Sequence, residues 1–155
     1  MAPRLRILVA TLGAVLALPA LAGDCPQGVK DAAMKAHPAA QIVACKQEQE
    51  DGSVQYSVKL VGKGGEKLEL DVSSDGQVLL TEEYVALDAV PPAILKSLKT
   101  KHPNAKLQKA EKLTDADGEV TYEIVFGSGD ERESATFDMN GNLVEEEEEE
   151  EEGQE

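Results

Sequence analysis

Three kinds of residue in this 155-residue chain could do chemistry: two cysteines, two histidines and a run of glutamates. Nucleophilic catalysis needs a nucleophile, a base and a group that orients the base. No Ser/His/Asp or Cys/His pattern of that kind is visible around His37 or His102. We therefore expect no catalytic residues and no cofactor, and we interpret the protein as a non-enzyme.

Cys25 and Cys45 lie 20 positions apart, a spacing that matches neither a C-x-x-C motif nor a metal-ligand pattern. In an exported protein a cysteine pair most often forms a disulfide, so we predict a Cys25–Cys45 bond; a thiol site is the alternative. Cys25 precedes the first predicted helix and Cys45 lies on the first predicted strand. The bond would therefore fasten that helix to the sheet.

His37 and His102 each stand before a proline, at the end of a helical pattern. Because the residue before proline is pushed out of the α region, both helices should end there. An imidazole suits the negative pole of a helix dipole, so we interpret both histidines as C-terminal caps. A metal site shared by the two histidines would require the two helix ends to face each other and is the less favoured alternative.

A run of consecutive glutamates near the C-terminus has two interpretations. Like charges at this density repel each other, which predicts a disordered acidic tail over residues 147–155 that serves solubility. The alternative is weak binding of Ca²⁺ or another hard divalent cation, or of a basic partner. The candidate cation ligands are Glu145, Glu146, Glu147, Glu148, Glu149, Glu150, Glu151 and Glu152.

The N-terminus has the pattern of a secretory signal. Arg4 and Arg6 precede a short apolar run, and Ala20-Leu21-Ala22 is a typical cleavage site. We predict a signal peptide over residues 1–22 and a periplasmic or secreted bacterial protein without a membrane span after cleavage. An uncleaved anchor is the alternative.

The composition is strongly acidic, with a net charge of −15 that becomes −17 when Arg4 and Arg6 are removed. Without a basic patch the chain cannot neutralise phosphates, which disfavours nucleic acids and anionic membranes as partners. The expected partner is a protein of unknown identity that is basic or is bridged by a cation.

Between the termini, the chain repeats one order of elements. A helix that ends at His-Pro is followed by four alternating strands with Asp-Gly or Asn-Gly turns. The spacing varies by one residue, since 65 residues separate Pro38 from Pro103 and 66 separate Tyr56 from Tyr122. We predict an α+β protein of two tandem α-β-β-β-β units, residues 25–86 and 87–146, each with one helix packed on a four-stranded antiparallel sheet.

These motifs resemble PepSY-like domains. The first copy lies at residues 37–40, 51–58 and 71–78, and the second at 102–105, 117–124 and 138–143. The tandem arrangement is similar to the β-lactamase-inhibitor-like branch of that group. The resemblance implies an exported, non-catalytic module that binds or inhibits another protein.

The repeated strand also predicts a surface. Val54, Tyr56, Val58 and Leu60 alternate with polar residues, and Val120, Tyr122, Ile124 and Phe126 form the inward face of the second copy. Such alternation indicates one buried and one wet face of an antiparallel sheet. We therefore predict that both tyrosines lie in the core and that binding uses the opposite side chains, which are Gln55, Ser57, Lys59, Thr121 and Glu123.

Overall fold

The computed structural model describes residues 25–50, 52–128 and 131–149, and the predicted signal peptide lies outside these ranges. The elements follow one another in chain order as α1 Gln27–Ala36, β1 Gln41–Glu50, β2 Ser53–Val61, β3 Lys67–Ser73, β4 Val78–Val85, α2 Pro92–Lys101, β5 Leu107–Asp115, β6 Val120–Ser128, β7 Glu131–Asp138 and β8 Leu143–Glu149. A single 3-10 turn, Leu87–Ala89, leads into α2.

The strands form one eight-stranded antiparallel sheet in the order β1 to β8. This finding corrects the predicted architecture of two separate helix-on-four-strand units. β4 pairs with β5, with Leu80 opposite Asp115 and Val85 opposite Ala110. The physical reason is that each predicted sheet would have left a row of unpaired backbone groups along its edge, and pairing the two edges satisfies both.

Both helices pack on the same face of the sheet and cover its apolar side chains. α1 buries Val29 and Ala33 in a first cluster with Val58, Leu70 and other residues of β2 and β3. α2 buries larger residues, among them Ile94 and Leu98, in a second cluster that includes Phe126 and Phe137. The prediction for the repeated tyrosines is confirmed, because Tyr122 is buried in the second cluster and Tyr56 packs against the first.

The helices end where the sequence indicates. The backbone N–H of His37 donates to the carbonyl of Ala33, and that of His102 donates to the carbonyl of Leu98. Each following proline lacks an N–H and cannot continue the helix. Both histidines therefore lie at C-caps, as predicted.

The glutamate run is partly ordered, which corrects the predicted start of disorder at residue 147. β8 extends to Glu149 and pairs with β7. Backbone pairing to β7 is available to any residue that has an N–H, and it here outweighs the repulsion between neighbouring carboxylates. Glu150, Glu151 and Glu152 lie outside the described residues.

Candidate functional site

The sheet face opposite the helices, which we call the open face, carries no helix within the described part of the chain. Strand alternation decides which side chains lie there. With Leu68 and Leu70 of β3 in the core, Glu69 must point to the open face. Five of the carboxylates on the open face of the four central strands form a group that we call the acidic cluster: Glu69, Asp71, Glu82, Glu111 and Glu123.

The cross-strand register brings these carboxylates together. Glu69 lies directly opposite Glu82, and Glu111 directly opposite Glu123. Asp71 is two residues from Glu69 on β3 and therefore diagonal to Glu82. Like charges placed directly opposite each other on a sheet are destabilising. Stability alone does not favour this arrangement, so the acidic cluster is a candidate for function.

Glu82 bears most of the repulsion. Its half-buried carboxyl has a pKa raised from 4.5 to about 8, first because burial disfavours the charge and then because of Glu111, Asp71, Glu69 and Glu123. At neutral pH it is therefore mostly protonated. The acidic cluster thus holds a proton on Glu82. A positively charged group beside Glu82 would be favourable in place of that proton.

Glu111 is the most enclosed member of the acidic cluster, with 3 % of its surface exposed. One carboxylate oxygen lies 2.8 Å from the Lys109 ammonium, while the other, Oε1, is buried without a hydrogen-bond partner among the described residues. Burial lowers the pKa of Lys109, but the hydrogen bond and the charge of Glu111 outweigh it and raise that pKa overall. The same ammonium lies 4.6 Å from the centre of the Tyr84 ring.

The five residues predicted as a binding surface all lie on the open face, on β2 and β6. Lys59 is exposed, and Gln55 and Glu123 are half-buried. Ser57 and Thr121, however, are each only 5 % exposed, so the prediction that they form a wet surface is wrong. No helix covers them in the described structure. Neighbouring side chains of the same face therefore bury them.

Hydrogen bonds explain part of this burial. The Ser57 hydroxyl donates to Glu69 Oε1. The Lys59 ammonium lies 3.6 Å from the other oxygen of Glu69. Two of the predicted surface residues are thus bound to the acidic cluster.

Sequence analysis missed Glu82 and Glu111, the two central members of the acidic cluster. Their local sequence does not distinguish either residue, since Glu82 is followed by Glu83 and Glu111 by Lys112. Without the β4–β5 pairing, nothing indicates that Glu82 and Glu111 are neighbours.

The predicted disulfide is confirmed. Cys25 and Cys45 are bonded, with 5.7 Å between their Cα atoms, and Cys25 is buried in the first cluster. The bond ties the start of α1 to β1. No helix among the described residues is long and apolar enough to cross a membrane.

No protein-family model matches the sequence, and no curated protein matches it. Solved structures do resemble it. A protein from Bacteroides fragilis described as BLIP-like is 23 % identical with a TM-score of 0.64, and the alignment covers 81 % of this chain and 89 % of that one. The fold is BLIP-like.

Two further structures share the BLIP-like fold at a TM-score of 0.68. One, from Bacteroides eggerthii, is provisionally described as periplasmic; it is 17 % identical and the match covers 81 % of this chain and 90 % of that one. The other is a DUF2874 family protein from Bacteroides uniformis, 16 % identical over 80 % of this chain and 89 % of that one. These likenesses show that the chain shares the fold of these structures. The PepSY-like name and the tandem domain boundaries stay predictions.

Proposed function

We propose that this protein is an exported, non-catalytic binding module that holds a basic segment of a partner protein against the open face of its sheet. The observation that carries the proposal is Glu82, which is kept protonated by burial and by four neighbouring carboxylates. A lysine or arginine from a partner would relieve that repulsion, and a surface of complementary charge also speeds association.

Among the described residues, two lysines contact the acidic cluster, Lys59 at Glu69 and Lys109 at Glu111. Glu69 and Glu123 are partly exposed, so a side chain from outside can reach their carboxylates. A partner cation would therefore meet acceptors that are already positioned.

An aromatic side chain borders the acidic cluster. Tyr84 lies opposite Glu111 in the register and is 41 % exposed. Tyrosine and arginine are enriched among the residues that contribute most to protein–protein binding. A basic segment could thus stack an arginine on Tyr84 while it pairs with the carboxylates.

The proposed location in the periplasm or outside the cell rests on three agreeing observations. The N-terminal sequence has the pattern of a secretory signal, the chain contains a disulfide, and a structure of the same fold is provisionally described as periplasmic. The BLIP-like description of another structure supports a protein as the partner.

The alternative function, weak Ca²⁺ binding by the glutamate run, has less support. β8 sends consecutive glutamates to opposite faces of the sheet, so neighbours such as Glu145 and Glu146 cannot converge on one ion.

Proton release tests the proposal directly. A partner cation near Glu82 must lower its pKa, so binding of a lysine- and arginine-rich peptide at pH 7 should release protons from the protein. Calorimetry in two buffers of different ionisation enthalpy measures this release. We expect binding that weakens with salt and a heat that depends on the buffer. Absence of binding at low salt, or binding with a buffer-independent heat, would contradict the proposal.

A further inference from the structure

On the helix side of the sheet, His102 lies between two carboxylates from different strands. Its Nε2 atom is 2.5 Å from Glu146 Oε1, and its Nδ1 atom is 3.7 Å from Glu133 Oε2. One ligand atom from each of the three residues can be chosen so that all lie within 4.8 Å of one another. The group is separate from the acidic cluster, because it lies on the opposite face of the sheet.

Backbone contacts fix all three residues. His102 caps α2 through its N–H, and its carbonyl accepts a hydrogen bond from the N–H of Ala105. The imidazole packs against the Phe126 ring at a centroid distance of 4.6 Å. Glu133 lies opposite Phe126 in the sheet, and Glu146 lies opposite Ala135. The ligands thus come from a helix end and two paired strands.

The first helix shows that this grouping is not a by-product of a histidine cap. His37 caps α1 in the same way, but the strand positions that correspond to Glu133 and Glu146 in the register of β2, β3 and β4 are Leu68 and Thr81. A capping histidine therefore does not require carboxylates beside it. The carboxylates at His102 are a separate feature of this end of the molecule.

We propose that His102, Glu133 and Glu146 bind a divalent transition metal ion, of which Zn²⁺ is the best-fitting class. Imidazole nitrogen and carboxylate oxygen are common Zn²⁺ ligands, whereas Ca²⁺ and Mg²⁺ favour oxygen alone. Ligand atoms around one tetrahedral Zn²⁺ lie roughly 3.3 Å apart, given bond lengths of about 2.0 Å. Binding would therefore require Nε2 and Glu146 Oε1 to move apart from 2.5 Å and the Glu133 carboxylate to turn toward Nε2.

The site leaves the ion open to solvent. All three side chains are partly exposed, and three protein ligands leave at least one position of a tetrahedral ion for water or for a group from another molecule. The metal would also fasten β8, an outer strand of the sheet, to the end of α2. Metal binding should therefore raise the melting temperature of the protein.

The two histidines provide an internal comparison, because they are the only ones in the chain. With ¹⁵N-labelled histidine, ZnCl2 titrated into the protein should shift the ring nitrogens of His102 and leave those of His37 unchanged, saturating at one ion per chain. MgCl2 and CaCl2 should shift neither. Equal shifts of both histidines, or no shift of His102, would overturn the proposal.

Affinity variants supply the second test. We expect His102→Gln and Glu133→Gln each to weaken Zn²⁺ binding by about tenfold or more, and His37→Gln to bind like the unaltered protein. Calorimetry measures the affinities, and circular dichroism shows whether each variant is folded. Since Glu133 is partly exposed, its variant keeps the test valid if His102→Gln does not fold. Unchanged Zn²⁺ affinity in either folded variant would show that this side chain does not hold the ion and would overturn the site.

Discussion

At the scale of single residues, Glu82 shows how the sheet positions charge. Nothing in its local sequence distinguishes it from Glu83, which contacts Lys112 at 2.7 Å on the other face. One position along the strand places Glu82 instead among four carboxylates and raises its pKa to about 8. Residue type alone therefore did not reveal the site, while strand alternation and pairing do.

The pKa of Glu82 predicts how stability depends on pH. Between its ordinary value of 4.5 and the folded value of about 8, the folded protein holds a proton that the unfolded chain has released. The free energy of unfolding must therefore fall as the pH rises through this window. Glu82→Gln should remove that dependence and stabilise the protein by roughly 1–2 kcal/mol at pH 8, because water screens part of the repulsion.

Urea unfolding of both proteins at pH 5, 6, 7 and 8 measures the effect. Asp31→Asn, which removes an exposed carboxylate on α1, is the control and should keep the pH trend of the unaltered protein. A difference between Glu82→Gln and the unaltered protein that stays constant from pH 5 to pH 8 would contradict the raised pKa.

At the scale of elements, the turn between β7 and β8 depends on close contact with α2. Gly141 has a φ of 82°, and a Cβ there would lie 2.8 Å from backbone atoms of Ala93. Gly118 has the same φ in the turn between β5 and β6, but a Cβ there meets nothing within 4 Å. A side chain at Gly118 therefore meets only the conformational cost of positive φ. A side chain at Gly141 meets that cost and a steric clash with α2.

We predict that Gly118→Ala costs about 1 kcal/mol of stability, as expected for alanine at positive φ. Gly141→Ala should cost roughly 3 kcal/mol, because the backbone of α2 must also shift. Thermal and urea unfolding compare the two variants. Equal losses would show that the turn does not press on the helix.

The disulfide lies next to α1, the helix that buries the smaller side chains. α1 contributes Val29 and Ala33 to its cluster, whereas α2 contributes Ile94 and Leu98. Closing a loop of this length stabilises by about 3 kcal/mol, and the bond holds the start of α1 to β1. We predict that reduction lowers amide protection in α1 and β1 more than in α2. Hydrogen exchange with and without reductant measures this, and equal loss in both helices would refute it.

At the scale of the whole molecule, the error in predicted architecture and the missed site have one cause. Helices, strand faces and turn positions could be predicted from periodicity, His-Pro pairs and Asp-Gly turns, because these signals are local. The pairing of β4 with β5 could not, since alternation shows which side chains face the core but not which sheet edges meet. That pairing joins Glu82 to Glu111, so the acidic cluster exists only in a continuous sheet.

The central claim is that the open face, rather than overall acidity, recognises a basic partner. Two variants with the same net charge separate these explanations. Glu69→Gln with Glu123→Gln removes two carboxylates from the open face, whereas Asp31→Asn with Asp88→Asn removes two exposed ones from α1 and the turn before α2. Both should remain folded by circular dichroism.

The decisive measurement is the affinity of each variant for the same lysine- and arginine-rich peptide at fixed salt. We predict that the open-face variant binds about tenfold more weakly or worse, a loss of about 1.4 kcal/mol, while the Asp31/Asp88 variant binds as the unaltered protein does. Equal weakening of the two variants would show that the peptide senses only net charge, and would contradict the account.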